Sequence, residues 1–216
     1  MHALRTVALS ALLLTAALPA RPEPYLQAEP REYGLEGASQ LKVEFPVGTL
    51  SIEGDDGTTV RSLIRVDCRE QDSHDCARQA RRIRVDHHVS GGRLSIEVTG
   101  IRKDMGTPRV NVEMHLLVPR KLLSRLEMGV GKLAVTGMAA DLEVELGVGE
   151  LTVKGDQRDY TTVEAESGVG DATIRTRSGD IREKGFIGHT AHWTGGRGSG
   201  SLKAHVGVGQ AEVTLR

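Results

Sequence analysis

Aromatic residues are scarce in this chain: one Trp, three Tyr and two Phe make up 3% of its 216 residues. That scarcity argues against the ring platforms on which carbohydrate sites stack sugars. Charge of one sign is missing as well, since 28 Lys and Arg stand against 29 Asp and Glu for a formal net charge of −1. A nucleic-acid partner normally leaves a clustered basic excess, so none is expected. Beyond the N-terminus no apolar run approaches the ~20 residues that span a bilayer. Catalytic signatures are also lacking. No Gly-x-Ser-x-Gly elbow occurs, and Gly195-Gly196-Arg197-Gly198-Ser199-Gly200 lacks the Lys-Ser/Thr that follows in a phosphate-binding loop.

Cysteine is limited to Cys68 and Cys76. Zinc would need more ligands than this pair with His74 and Asp75, and no C-x-x-C spacing is present. One disulfide is the expectation for an exported protein, and closing so short a loop stabilises by about 2–3 kcal/mol on the chain-entropy model. Export itself is read from residues 1–20, where Arg5 precedes the uncharged run Val7 to Leu18 and Pro19-Ala20 ends it, the pattern of a secretory signal peptide. The expected location is therefore periplasmic, secreted or cell-surface.

What the chain does have is glycine, 26 residues of it, and alternation. Residues 21–40, with Pro22, Pro24, Pro30, Gly34 and Gly37, read as a linker. From 41 to 118 the pattern is mainly β: Leu41, Val43, Phe45 and Val47 alternate, then Leu50 and Ile52, then Val60 through Val66, with Gly54-Asp55-Asp56-Gly57 as a turn. A short helix capped by Ser73 is expected over His74 to Arg82, because Cys76, Ala77, Ala80 and Ile83 recur at three- and four-residue intervals. Its Arg78, Arg81 and Arg82 read as a solvated face. Strands resume on either side of Gly91-Gly92 and again at Val110, Val112, Met114 and Leu116.

Residues 119–216 are repetitive. The turns Gly129-Val130-Gly131, Gly147-Val148-Gly149, Gly168-Val169-Gly170, Gly198-Ser199-Gly200 and Gly207-Val208-Gly209 separate alternating segments such as Leu142-Glu143-Val144-Glu145-Leu146. Leu142, Val144, Leu146 and Val148 are even-numbered, whereas Leu151 and Val153 are odd. A one-residue skip flips every side chain to the other face unless the backbone bends, and glycine tolerates the positive φ of such a bend. The central valine is expected to fill the corner. Two architectures satisfy the pattern, an antiparallel meander with three-residue loops or a right-handed parallel β-helix. The period near 20 residues, the nearly aromatic-free interior and the lack of Asn-Gly or Asp-Gly turns after Pro119 favour the solenoid.

Phe45 to Gly54 (Phe-Pro-Val-Gly-Thr-Leu-Ser-Ile-Glu-Gly), Leu117-Val118-Pro119 and the Gly-x-Gly ladder with Gly170-Asp171 and Gly179-Asp180-Ile181 resemble the bacterial putative-adhesin family, a domain of unknown function with β-helix-like rungs. The resemblance spans roughly residues 40–216. It implies an envelope-associated or secreted β-solenoid and carries no catalytic residues. The Cys68/Cys76 pair and the Arg-rich helix depart from it.

Other chemistry was weighed against this. A calcium roll needs a carboxylate at the same place in each coil, but the residues after the turns are Lys132, Glu150, Asp171, Ser201 and Gln210. His87 and His88 are adjacent in a strand and point to opposite faces, while His189, His192 and His205 would meet only if their rungs stacked together. No metal, cofactor or catalytic residue is assigned. The expected protein is a non-enzymatic, adhesin-like envelope β-solenoid presenting a binding or scaffolding surface to an envelope protein or polysaccharide. The alternative is a carbohydrate-active β-helix enzyme that uses outward acids among Glu143, Glu145, Glu164, Glu166 and Asp171, with Trp193 or Tyr160 beside them. Self-association through the C-terminal rung at Leu215-Arg216 is a further expectation.

Overall fold

The computed structural model describes residues 25–68, 74–101, 110–183 and 188–216. The signal-peptide reading and the Ser73 cap lie outside the described residues. Within them the chain is all-β apart from one short helix. Its elements are β1 (Tyr25–Gly34), β2 (Gln40–Asp55), β3 (Thr59–Cys68), α1 (His74–Ala80), β4 (Arg84–Ser90), β5 (Arg93–Thr99), β6 (Val110–Pro119), β7 (Leu123–Thr136), β8 (Leu142–Gly155), β9 (Tyr160–Thr176), β10 (Gly179–Glu183), β11 (His189–Thr194) and β12 (Gly200–Leu215).

Five long strands are the rungs, stacked parallel and in register in the order β2, β7, β8, β12, β9. Each is bent where its alternation skips. Leu142, Val144 and Leu146 are buried before the bend of β8 and Leu151 and Val153 after it, so both halves bury their apolar residues in the same core. Every such side chain contributes about 1.5–3 kcal/mol relative to exposure. The parallel pairing rules out the meander.

The bend divides the molecule into two walls. The first halves of the rungs form one, extended by β5 and β4 beyond β2 and by β11 beyond β9. The second halves form the other, extended by β6, β3 and β1 at one end and by β10 at the other. β5 and β6 both pair in parallel with β2, while the outermost additions on each wall are antiparallel. Gly91 and Gly92, both at positive φ, close the expected hairpin between β4 and β5. Strands β2 and β3 do not pair across the Gly54-to-Gly57 turn, because β6 lies between them.

Several expectations are corrected by this arrangement. Part of the expected linker is strand β1, which pairs with β3; Pro30 is tolerated because β1 has a neighbour on one side alone and needs no second set of hydrogen bonds. The ladder is not confined to 119–216, since β2 stacks on β7 with Gly48 opposite Gly131. Nor is β12 the last rung of the stack: it sits between β8 and β9 and is paired on both sides. Gly198-Ser199-Gly200 is not a corner but the lead into β12, packed against the return at Asp159. Finally, the core does hold rings. Phe45 and Tyr160 are fully buried and Trp193 nearly so, with the Tyr160 hydroxyl donating to the Met138 carbonyl at 2.7 Å. Burial pushes that phenol well above its ordinary range.

The helix forms as the periodicity predicts, burying Cys76 and Ala80, with Ile83 just beyond it. Cys68 at the end of β3 and Cys76 in α1 form a disulfide with Cα atoms 5.9 Å apart, which ties the helix to the second wall.

Candidate functional site

The corners are where the local chemistry is most constrained. Gly149 has φ +141°, and a Cβ there would overlap the carbonyl oxygen of Gly131 on the rung below. Gly147, at the start of the same turn, needs no special φ, yet a Cβ on it would lie 2.6 Å from the Gly129 oxygen. The two glycines thus serve different purposes, one permitting the bend and the other letting rungs approach. The same geometry recurs at Gly129/Gly131, Gly168/Gly170 and Gly207/Gly209. It also recurs at Pro46-Val47-Gly48, a corner that a search for Gly-Val-Gly misses. The signal was present as the same skip, from odd Leu41, Val43 and Phe45 to even Leu50 and Ile52.

The central valines do not fill the corner. Val130, Val148, Val208 and Val169 are 45–47% exposed and stand opposite one another on successive rungs, with Val47 continuing the row. A bend that brings both flanking segments inward turns its own apex outward. The result is an apolar crest along the stacking axis, crossing five rungs at ~4.8 Å each and so about 19 Å long.

Three residues before each valine the first wall carries a second row. Glu97, Glu44, Glu127, Glu145, His205 and Glu166 stand opposite one another on β5, β2, β7, β8, β12 and β9. Between this row and the crest lie Pro46, Gly129, Gly147 and Gly207, and because the glycines have no side chain, a groove of about 1070 Å³ runs along the stack with Gly100 and Ile101 at one end. Its wall is acidic, Val47 and Val130 line it from the crest side, and among the described residues no Lys or Arg does.

Cations sit one row further out. Lys42 bridges Glu44 and Glu127 at 3.1 and 3.4 Å, and Arg125 reaches Glu127, Glu143 and Glu145 at 2.8, 3.2 and 2.9 Å. Burial alone would push the Glu127 carboxyl up, but hydrogen bonds from Arg125 and Lys42 outweigh it and hold the group below the ordinary range. The Lys42 ammonium is held above its usual range, chiefly by its bond to Glu44. His205 contacts Glu166 at 3.3 Å.

The acids considered for glycan cleavage are thereby placed. Glu143 and Glu145 face Arg125, while Glu164 and Glu166 are separated from them by Lys203 and His205 of the inserted β12. Asp171 lies on the second wall. Trp193 and Tyr160, the candidate platforms, are in the core and offer no ring to a sugar. His189 and His192 are on β11 and His205 on β12, at opposite sides of β9, so the three do not converge.

A family model described as the N-terminal domain of toast_rack, DUF2154, matches residues 32–175. No curated protein matches the sequence. Among solved structures, a putative cell adhesion protein from Clostridium sporogenes ATCC 15579 is similar with a TM-score of 0.54 and 17% identity, covering 88% of this chain and 99% of its own. A putative adhesin from Parabacteroides merdae ATCC 43184 is more distant, at TM-score 0.28 and 10% identity over 70% of this chain and 61% of its own. A putative adhesin from Bacteroides fragilis NCTC 9343 has TM-score 0.24 and 11% identity over 89% and 99%. The first of these shares the fold.

Proposed function

The chain belongs to the toast_rack N-terminal domain family (DUF2154), matched over residues 32–175, and from that premise we propose that it is an exported, non-enzymatic, adhesin-like protein whose rigid stacked rungs present a binding surface to a component of the cell envelope. The observation that carries this reading is the in-register stacking of outward side chains on five rungs. Such stacking aligns side chains of separate strands into continuous rows, the valine crest uniform and the Glu44, Glu127, Glu145, His205, Glu166 row nearly so, which suits recognition of an extended partner. Supporting it are the disulfide, which belongs to an oxidising compartment, the leader-like pattern of Arg5 to Ala20, and the description of the Clostridium sporogenes structure as a putative cell adhesion protein. We take the winding between successive rungs as right-handed, the hand that parallel crossover connections adopt.

Fractionation of the native host followed by intact-mass measurement tests export. The expected species begins at Arg21, lies outside the cytoplasm and has both cysteines oxidised. A full-length, reduced, cytoplasmic chain would overturn the reading. Turnover of envelope glycan by the purified protein, lost on Glu166→Gln, would overturn its non-enzymatic part.

A further inference from the structure

We propose that the groove between the valine crest and the acidic row binds an extended peptide segment in which basic and apolar residues alternate. This deepens the reading of the protein as a presenter of a binding surface and rests on it. The crest is where the fold leaves apolar area uncovered: among the described residues the exposed large hydrophobics are Val130, Val148, Val169, Val208 and Leu123. Four of these five stand in one line. Folding does not demand valine at an apex that faces water, and contiguous exposed apolar area is a mark of contact with a partner.

Charge chooses the occupant. Glu97, Glu44, Glu127 and Glu145 line the facing side with His205, and among the described residues the cations paired with that row, Lys42 and Arg125, stand on its outer side with the groove on its inner side. A partner must therefore be basic along one edge and apolar along the other. An extended peptide has that form when the two types alternate, because successive side chains point to opposite sides. At ~3.3 Å per residue about six residues cover the ~19 Å crest. The glycine floor leaves room for its backbone. An anionic polysaccharide meets like charge here, and a neutral one finds no exposed ring among the described residues of the groove. A second copy docked crest to crest would bring the row beyond its own crest (Thr49, Lys132, Glu150, Gln210, Asp171), which holds one lysine, already 3.0 Å from Glu150.

The test is fluorescence anisotropy on the full mature chain with three labelled six-residue probes: Lys-Val-Lys-Val-Lys-Val, the block peptide Lys-Lys-Lys-Val-Val-Val, and Lys-Ser-Lys-Ser-Lys-Ser. The alternating Lys-Val probe is expected to bind about tenfold tighter than the other two, and to lose about tenfold with V130S/V148S, the crest valine that lines the groove and its neighbour on the next rung, both so exposed that the melting temperature should stay unchanged. E127Q/E145Q is expected to flatten the salt dependence of binding. Equal binding of all three probes, or binding indifferent to the valine pair, would reduce the groove to a nonspecific acidic surface and overturn the proposal. So would the absence of binding up to millimolar peptide, a dimer abolished by V130S/V148S, or a polysaccharide whose binding that pair abolishes. If the peptides fail while export and oxidation are found, the proposed function stands and this inference alone falls.

Discussion

The two walls are built by the same rungs, with the same interior, and differ almost wholly on the outside. On the first wall the outward rows are Lys42, Arg125, Glu143, Lys203, Glu164 and Glu44, Glu127, Glu145, His205, Glu166. On the second they are Thr49, Lys132, Glu150, Gln210, Asp171, then Ser51, Ala134, Thr152, Glu212 and the buried Thr173, then Glu53, Thr136, Lys154, Thr214, Arg175, so charge is sparser there. Packing is satisfied equally by both, and exposed ion pairs are worth little to folding. The crowding of charge on one wall beside an exposed crest is therefore a property of the surface, not a requirement of the stack.

The largest effect should come from the hinge that joins the walls. Gly149→Ala places a Cβ against the Gly131 carbonyl at a positive φ, in the middle of the stack, and is expected to cost about 4 kcal/mol or more, read as loss of the cooperative urea transition. A mild loss would mean the two walls tolerate independent movement.

Equality of the interiors is tested by truncating one leucine in each. Leu146→Ala and Leu151→Ala, both 1% exposed on opposite sides of the same corner, should each cost about 2–5 kcal/mol in chemical denaturation. A cost confined to one would show that one wall carries the core.

Removing the disulfide with C68A/C76A should cost about 2–3 kcal/mol. Hydrogen exchange should show the loss at β3 and α1 and leave the groove's first-wall strands protected.

The smallest effects are on the outer faces, and they should be unequal. Arg125→Ala removes three carboxylate partners and should cost about 0.5–1 kcal/mol, against about 0.5 kcal/mol or less for Lys132→Ala, whose single pair is exposed. Because the Glu127 carboxyl is held below its ordinary value of 4.5, its contribution is complete above that pH and fades as pH falls through the folded value. The difference in urea midpoint between wild type and Glu127→Gln should therefore be present at pH 7 and vanish on acidification.

Much of this was legible residue by residue. Alternation gave the strands, the odd-to-even skip located the bends, and Cys68 and Cys76 paired as an even cysteine count in a chain read as exported suggested. The corner at Pro46-Val47-Gly48 was harder because proline replaces the first glycine, though its skip was in view. The valines were misread for a physical reason: a local pattern shows that a chain bends but not which side of the bend faces solvent. The groove was invisible because its acids come from separate strands and its floor from glycines that matter for what they lack.

By itself the sequence determined the repeating unit, since a period-2 strand with a one-residue skip and a glycine of positive φ admits little else. Tertiary structure alone decided the order of stacking. Nothing local in β12 says that it enters between β8 and β9, because every rung offers the same hydrogen bonds and nearly the same apolar set. That placement brings His205 between Glu145 and Glu166 and Val208 between Val148 and Val169, completing both rows.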